Sequence, residues 1–192
     1  VEVLPAYHPA WSQEPGDAAG AVTLLLLPQN DPLHPTAPQP DQVFLSAVCD
    51  YLDPRRLVTT ELYLRGPVYQ PIWVSLGIQV TAGVSIAATR EAVRRTLAEF
   101  LSPYRWPLRK SVIDRELMAV ASRVESVQFV TGVRLALGDG NEQSQVDLRG
   151  LQLPQIMAIA VAVGEPTPIA QVRTLQPRGA GPGGSSVLVI AP

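Results

Sequence analysis

The chain has 192 residues, of which 46% are hydrophobic and 17% charged, and its formal net charge is −2. This composition can supply one buried core, and it excludes a general electrostatic attraction to nucleic acid or anionic lipid. The longest apolar run, 21–27, is far too short to span a bilayer, so we expect no membrane insertion.

The first predicted elements lie between proline-rich segments. Residues 1–20 contain prolines and small polar residues without periodicity, which predicts an N-terminal arm or linker. The apolar run at 21–27 predicts a buried strand that ends at Pro28. Five prolines within 28–40 then indicate a stiff surface loop.

A helix is predicted from an N-cap at Asp41 to Asp53, where the following Pro54 disfavours helical geometry. Cys49, the only cysteine, lies on the apolar side of this helix. We therefore expect its thiol to be packed against the helix-packing face and to react slowly. No intrachain disulfide is possible with a single cysteine.

Two strands follow this helix. Residues 57–66 alternate as a half-buried strand that ends at a Gly-Pro pair, and 71–80 alternate more regularly. In the second strand one face is aliphatic and is predicted to be core; it consists of Ile72, Val74, Leu76, Ile78 and Val80. Trp73 lies on the opposite face.

The second half of the domain begins with two predicted helices, 85–101 and 111–124, the latter preceded by an S-x-x-D capping pattern. Strands at 127–137 and 151–163 enclose the turn GDGNEQSQ. In the last strand Met157, Ile159, Val161 and Val163 are predicted to share one face. Residues 164–192 contain a glycine-rich stretch and are expected to be a flexible tail with a short terminal strand, VLVIA.

This order of elements predicts an α+β fold. The pattern is typical of a ferredoxin-like βαββαβ sandwich over 21–163, with an extra helix and a C-terminal hairpin, flanked by proline- and glycine-rich arms. We expect the helices to cover one face of an antiparallel or mixed sheet.

The polar residues do not form a recognisable catalytic or metal-binding pattern. Asp50, Asp53, Arg55 and Arg56 are interpreted as charges at a helix end, where arginines interact favourably with the helix dipole. The two histidines lie in proline-rich coil, away from Cys49. We therefore expect no enzymatic activity, no cofactor and no metal.

Aromatic and arginine residues are the more informative group. Tryptophan, tyrosine and arginine are the residues that anchor protein–protein interfaces. The candidates are Arg65, Tyr69, Trp73, Arg105, Trp106 and Arg109. The sequence predicts that they form an exposed protein-interaction surface rather than a nucleic-acid site, because the chain is acidic.

Two long phrases resemble a known family. They are YLDPRRLVTTELYLRGPVYQPIWVSLGIQV and REAVRRTLAEFLSPYRWPLRKSVIDRELMAVASRVESVQFV. Together they resemble the C-terminal region of J-like baseplate assembly proteins of tailed phages and phage-tail-like contractile injection systems. The resemblance covers about 21–137. Two departures are Tyr104-Arg105, where the family often has a glycine-rich insertion, and Leu108-Arg109, where a glycine is expected after WP.

The resemblance implies a structural role without catalytic residues. It implies a wedge of the baseplate that links the hub and spike to the sheath within a large ring, with other wedge subunits, sheath and hub or spike proteins as partners. Assembly in the bacterial cytoplasm is the expected location. Family members are usually longer on the N-terminal side, so the chain resembles a C-terminal portion.

Two alternatives remain open. A ferredoxin-like regulatory module would bind a small ligand at a strand-to-helix loop, for which TAGVS at 81–85 is the only weak candidate. An acylphosphatase-type enzyme would need an anion-binding loop after the first strand, but PQNDPLHP contains three prolines there.

Overall fold

A computed structural model describes residues 1–12 and 14–175 of the chain. The strands are β1 (Glu2–Pro5), β2 (Ala21–Leu25), β3 (Glu61–Arg65), β4 (Val68–Val80), β5 (Val112–Ile113), β6 (Val127–Leu137), β7 (Glu142–Gln143), β8 (Gln145–Val146) and β9 (Gln152–Val163). The helices are α1 (Gln42–Leu52), α2 (Ile86–Phe100), α3 (Asp114–Ala121) and α4 (Ile169–Leu175), and a 3₁₀ turn at Asp53–Arg55 follows α1.

The larger sheet is built around β4 in the order β7-β6-β4-β9. Strand β4 is antiparallel to β6 and parallel to β9. Four members of the predicted aliphatic stripe of β4 are confirmed as core, because Ile72, Val74, Leu76 and Ile78 are all 0% exposed. The fifth, Val80, is partly buried against the same cluster. The same cluster contains apolar residues of α2 and α3, among them Val93 and Leu117. The helices therefore cover this face of the sheet.

Helix α4 covers the opposite face. Ile169 and Val172 pack with Trp73 and with small residues of β6 and β9. The small residues let the chain after β9 come very close to β4: a Cβ built on Gly77 would lie 2.2 Å from the carbonyl oxygen of Gly164. Both faces of β4 are thus covered.

The smaller sheet, β1-β2-β3, pairs β2 antiparallel to β1 and parallel to β3. Helix α1 lies in the crossover between the two parallel strands. A separate two-stranded ribbon joins β5 to β8.

The α+β class is confirmed, but the predicted ferredoxin-like sandwich differs from this topology. The strands divide between two main sheets, and β3 and β4 belong to different ones although only Gly66-Pro67 separates them. Proline lacks the N–H that would continue a ladder, so the pair ends one sheet and starts the other. The predicted C-terminal hairpin is wrong as well, because β6 and β9 lie on opposite sides of β4.

The predicted arms also contain ordered structure. Within the expected N-terminal arm, Leu4 and Tyr7 are 3% and 4% exposed and belong to the main core. Within the expected tail, 164–192, helix α4 packs on the sheet; the predicted terminal strand VLVIA lies outside the described residues. In β9, a register shift at Met157 places that residue with the alanine face instead of with Ile159.

Candidate interaction surface

Helix α1 is apolar but has no buried residue. Its side chains at Val43 and Tyr51 are 77% and 62% exposed, and in the turn that follows Leu57 and Val58 are 73% and 98% exposed. Isolated exposed apolar residues are ordinary, whereas a contiguous group of them marks a contact site. We define the α1 surface as Val43, Phe44, Ala47, Tyr51, Leu57 and Val58.

Local hydrogen bonds hold this segment in place. Asp41 is the N-cap, as predicted, and its carboxylate accepts from the Phe44 N–H at 2.7 Å. At the other end the Arg55 guanidinium donates to the Tyr51 carbonyl and stacks 4.0 Å from the centre of the Tyr51 ring. Arg56 bonds the Asp53 carboxylate at 2.7 Å. The helix-end interpretation is confirmed for Asp53, Arg55 and Arg56, whose contacts hold the C-terminal end of α1.

A cleft of about 460 Å³ borders the N-terminal end of the α1 surface. Its wall is the proline-rich loop, including Pro32 and Leu33, and it shares Phe44 with α1. The Asp31 carboxylate organises this loop by accepting from the N–H groups of Gln39 and His34, each at 3.0 Å. These hydrogen bonds, chiefly that from Gln39, lower the pKa of Asp31 below its usual value.

The aromatic residues that the sequence singled out for an exposed surface lie mostly inside. Trp73 is 8% exposed and packs under α4. Trp106 is 5% exposed, meets the Phe100 ring edge to face at 5.4 Å and donates from Nε1 to the Lys110 carbonyl at 3.0 Å. Tyr69 is half-buried, and burial raises its pKa. Alternation along a strand shows which face a residue takes, but not whether another element covers that face.

Tyr69 still has a clear role. Its hydroxyl donates to the Pro38 carbonyl at 2.9 Å, and the Gln39 side chain donates to the Pro67 carbonyl at 3.0 Å. Both bonds tie the proline-rich loop to the start of β4. Tyr69 therefore helps to fix the proline-rich loop that forms the wall of the cleft.

The three predicted arginines are exposed but belong to different elements. Arg65 ends β3, and Arg105 lies in the turn after α2. Arg109 pairs with Glu14 at 2.8 Å and has a φ of 60°, in the left-handed region. The structure does not bring the six predicted residues together into one patch. Glycine adopts a φ such as that of Arg109 without strain, whereas a residue with a Cβ does not.

The thiol of Cys49 is exposed. The prediction that it packs against the helix face is wrong, because α1 is not packed between other elements and only Leu45, Val48 and Leu52 turn partly inward. One sequence signal could have identified the α1 surface. The apolar residues of 43–52 occupy more of the helix circumference than one inward stripe requires.

Two properties of the described part of the chain bear on function. Across 1–12 and 14–175, no group of three or more histidine, cysteine, aspartate or glutamate side chains is arranged to hold a metal ion. Within the same residues, no helix has the length and apolarity needed to cross a membrane.

No protein-family profile matches the sequence, and no curated protein matches it. Among solved structures, the fold is similar to a chain of the anti-feeding prophage (AFP) baseplate, determined by cryo-electron microscopy with sixfold symmetrisation. The TM-score is 0.52 at 16% sequence identity, and the match covers 71% of this chain but only 29% of the other. The chain thus spans less than a third of that protein and shares a fold with part of it.

Proposed function

We propose that this chain is a structural component of the baseplate of a contractile phage-tail-like particle, and that it works by binding neighbouring subunits rather than by catalysis. The observation that carries the proposal is the α1 surface: an ordered, apolar helix without a single buried residue. Exposing such an apolar surface to water is unfavourable in free energy, and contact with another subunit removes this unfavourable exposure.

Two further observations support the baseplate setting. The fold is similar to part of a baseplate chain from a phage-tail-like particle. The sequence phrases that resemble J-like proteins include DPRRLVTT, whose Leu57 and Val58 form the most exposed end of the α1 surface. In this proposal the chain is a wedge subunit between hub or spike and sheath, assembled in the bacterial cytoplasm, and Arg65 and Arg105 remain candidate contact residues.

The test is incorporation into particles in the host strain. Val58→Asp and Tyr51→Asp place a charge on the α1 surface, where an interface would have to desolvate it. Because Val58 is 98% exposed, Val58→Asp should retain wild-type stability within about 0.5 kcal/mol. Tyr51→Asp also loses the Arg55 stack and places a carboxylate in the last turn of α1, so it should cost about 1 kcal/mol in the isolated chain. We expect at least tenfold less of either variant in purified particles, measured by quantitative mass spectrometry.

Val84→Asp is the matched control, since Val84 is an exposed valine in the turn before α2. It should incorporate as the wild type does. Absence of the wild-type chain from purified particles would refute the baseplate role. Normal incorporation of both α1 variants would refute the role of the α1 surface in it.

A further inference from the structure

Strand β9 forms one edge of the larger sheet, and no other described strand lies beside its outer side. Gly164 donates to the Ile78 carbonyl at 3.0 Å, so the N–H of Gly164 points toward β4. Because backbone directions alternate along a strand, the N–H and C=O groups of Ile159, Val161 and Val163 point away from β4. Among the described residues, none of these outward groups has a hydrogen-bond partner.

This outer edge is nevertheless buried. Ile159 and Val161 are only 2% and 4% exposed. Buried backbone N–H and C=O groups are almost always hydrogen-bonded, because an unpaired one has lost its contact with water. Residues 155–163 also contain no charged side chain, although charges are a common protection of an open sheet edge. The edge of β9 therefore requires a pairing partner that the described residues do not supply.

Two arginines of α2 lack acceptors beside the same edge. Arg90 and Arg94 are 8% and 5% exposed, and the Nε of each and the Nη2 of Arg94 have no hydrogen-bond partner within the described part of the chain. The remaining nitrogen of Arg94, Nη1, bonds Glu91. Ala98, one turn after Arg94 on the same side of α2, lines a cleft with Ile156 of β9. This side of the helix thus faces β9, where the carbonyl oxygens of an added strand would supply the missing acceptors.

We propose that residues 187–191, VLVIA, lie along the outer edge of β9 as a fifth strand of the larger sheet. The run is uncharged, and its β-branched residues favour a strand. Its five residues match the length of 159–163, which carries the outward groups. The inference is independent of the proposed function, because it concerns a different part of the molecule from the α1 surface.

The position of α4 allows the chain to reach this edge. Arg173 donates to the carbonyls of Gly138 and Gly140, in the turn between β6 and β7, so α4 ends at that side of the sheet. The segment 176–186 can extend over about 36 Å. A strand beyond β9 lies three strand spacings from β6, about 14 Å. The opposite edge of the sheet already pairs with β7, which leaves β9 as the long uncovered edge within the described residues.

Residue-resolved hydrogen exchange of the full chain, measured by NMR, tests the pairing. The double change Leu188→Pro, Val189→Pro removes two consecutive N–H groups, one of which would face β9 in either register. We expect the N–H groups of Ile159 and Val161 to exchange about 100-fold faster or more in this variant than in the wild type. Those of Ala160, which bond β4, should stay protected in both chains.

Ala180→Pro, Gly181→Pro is the matched control, because it adds two prolines to the connecting segment and leaves 187–191 intact. Its exchange should equal that of the wild type. Fast exchange of Ile159 and Val161 in the wild type, or slow exchange in the Leu188→Pro, Val189→Pro chain, overturns the proposal.

Dilution of the wild type separates pairing within one chain from exchange of the segment between copies. Protection at Ile159 and Val161 should not depend on protein concentration. Protection that is lost on dilution would assign the added strand to another copy and would overturn pairing within the chain. Incorporation of Val58→Asp into particles is measured separately, so failure here leaves the proposed function standing.

Discussion

Strand β4 and helix α1 are both rich in apolar residues, but they have opposite environments. Strand β4 has neighbours on both edges and helices on both faces, and four of its apolar side chains are fully buried. Helix α1 lies in a crossover of a three-stranded sheet, and none of its residues is buried. The difference teaches that hydrophobicity alone does not place a segment in a core; the number of elements that pack against it decides. Where that number is small, the remaining apolar surface is available to a partner.

The largest expected effect is a loss of stability in the sheet around β4, which is covered on both faces. Gly77→Ala would bring a Cβ within 2.2 Å of the Gly164 carbonyl oxygen and 2.7 Å of the Pro166 nitrogen, both of them backbone atoms that cannot rotate away. We expect a loss of about 4 kcal/mol or more in the free energy of unfolding, measured by denaturant titration.

Gly132→Ala is the matched control for that change. Its nearest neighbour would be a side-chain atom of Pro166 at 3.4 Å, an ordinary contact. A loss below about 1 kcal/mol is expected. Equal losses at the two glycines would show that the segment after β9 does not lie against β4 as described.

The next prediction compares the two regions directly. Leu76→Ala removes a side chain with 0% exposure and should cost about 2–5 kcal/mol. Leu57→Ala removes the same atoms from a residue that is 73% exposed and should cost less than about 0.5 kcal/mol in the isolated chain. Both values come from chemical denaturation. A large loss at Leu57 would mean that the α1 region packs inward in solution.

A smaller effect is expected in the loop that joins α2 to β5. Arg109 has a φ of 60°, which costs a residue with a Cβ about 1–2 kcal/mol. Arg109→Gly should therefore be more stable than Arg109→Ala by about 1 kcal/mol, since both lose the exposed ion pair with Glu14 but only glycine relieves the strain. Thermal unfolding of the two variants checks this, and the reverse order would contradict the assigned backbone conformation.

The smallest effect concerns the attachment of α4. The Glu142 carboxylate accepts from the Ile169 N–H at 2.9 Å and pairs with Arg134 at 2.7 Å. The Ile169 hydrogen bond, followed by Arg134, lowers the pKa of Glu142 below its ordinary 4.5. Its contribution to stability is therefore complete above about pH 4.5 and is lost as the pH falls through the lower folded value.

Glu142→Gln should flatten the decline of the unfolding midpoint below pH 4.5. Glu165→Gln, at an exposed carboxylate in the loop before α4, is the control and should decline as the wild type does. A Glu142→Gln profile that matches the wild type would show that this carboxylate does not anchor α4.

Local structure could be predicted from the sequence where one pattern determined it. The alternation of β4 and the helical spacing of α2 lead to the observed elements within a residue or so at each end of the helix. The cap at Asp41 was also predictable, because a side-chain oxygen at that position bonds an N–H nearby in the chain.

The sequence did not predict which elements cover one another. Trp73 was assigned to the correct face of β4, but its burial depends on α4, which lies in a stretch that glycine and proline made appear linker-like. Conversely, α1 was expected to pack against its sheet; the wide apolar circumference of 43–52 is the one local signal that its sheet leaves part of it exposed. The candidate surface therefore emerged from burial and not from residue type.

The pairing of β4 with β9 has a consequence for the order in which the chain folds. Val68 lies beside Gln152, and the helices α2 and α3 are both synthesised between these two strands. Pairings between residues so far apart in sequence form slowly, because the loop must close before the contacts compensate for its entropy. During synthesis the edge of β4 that pairs with β9 therefore remains unpaired until β9 has left the ribosome. The segment β2-α1-β3 needs none of those later residues for its own pairing, so helix α1 and the smaller sheet can be complete before the larger sheet is.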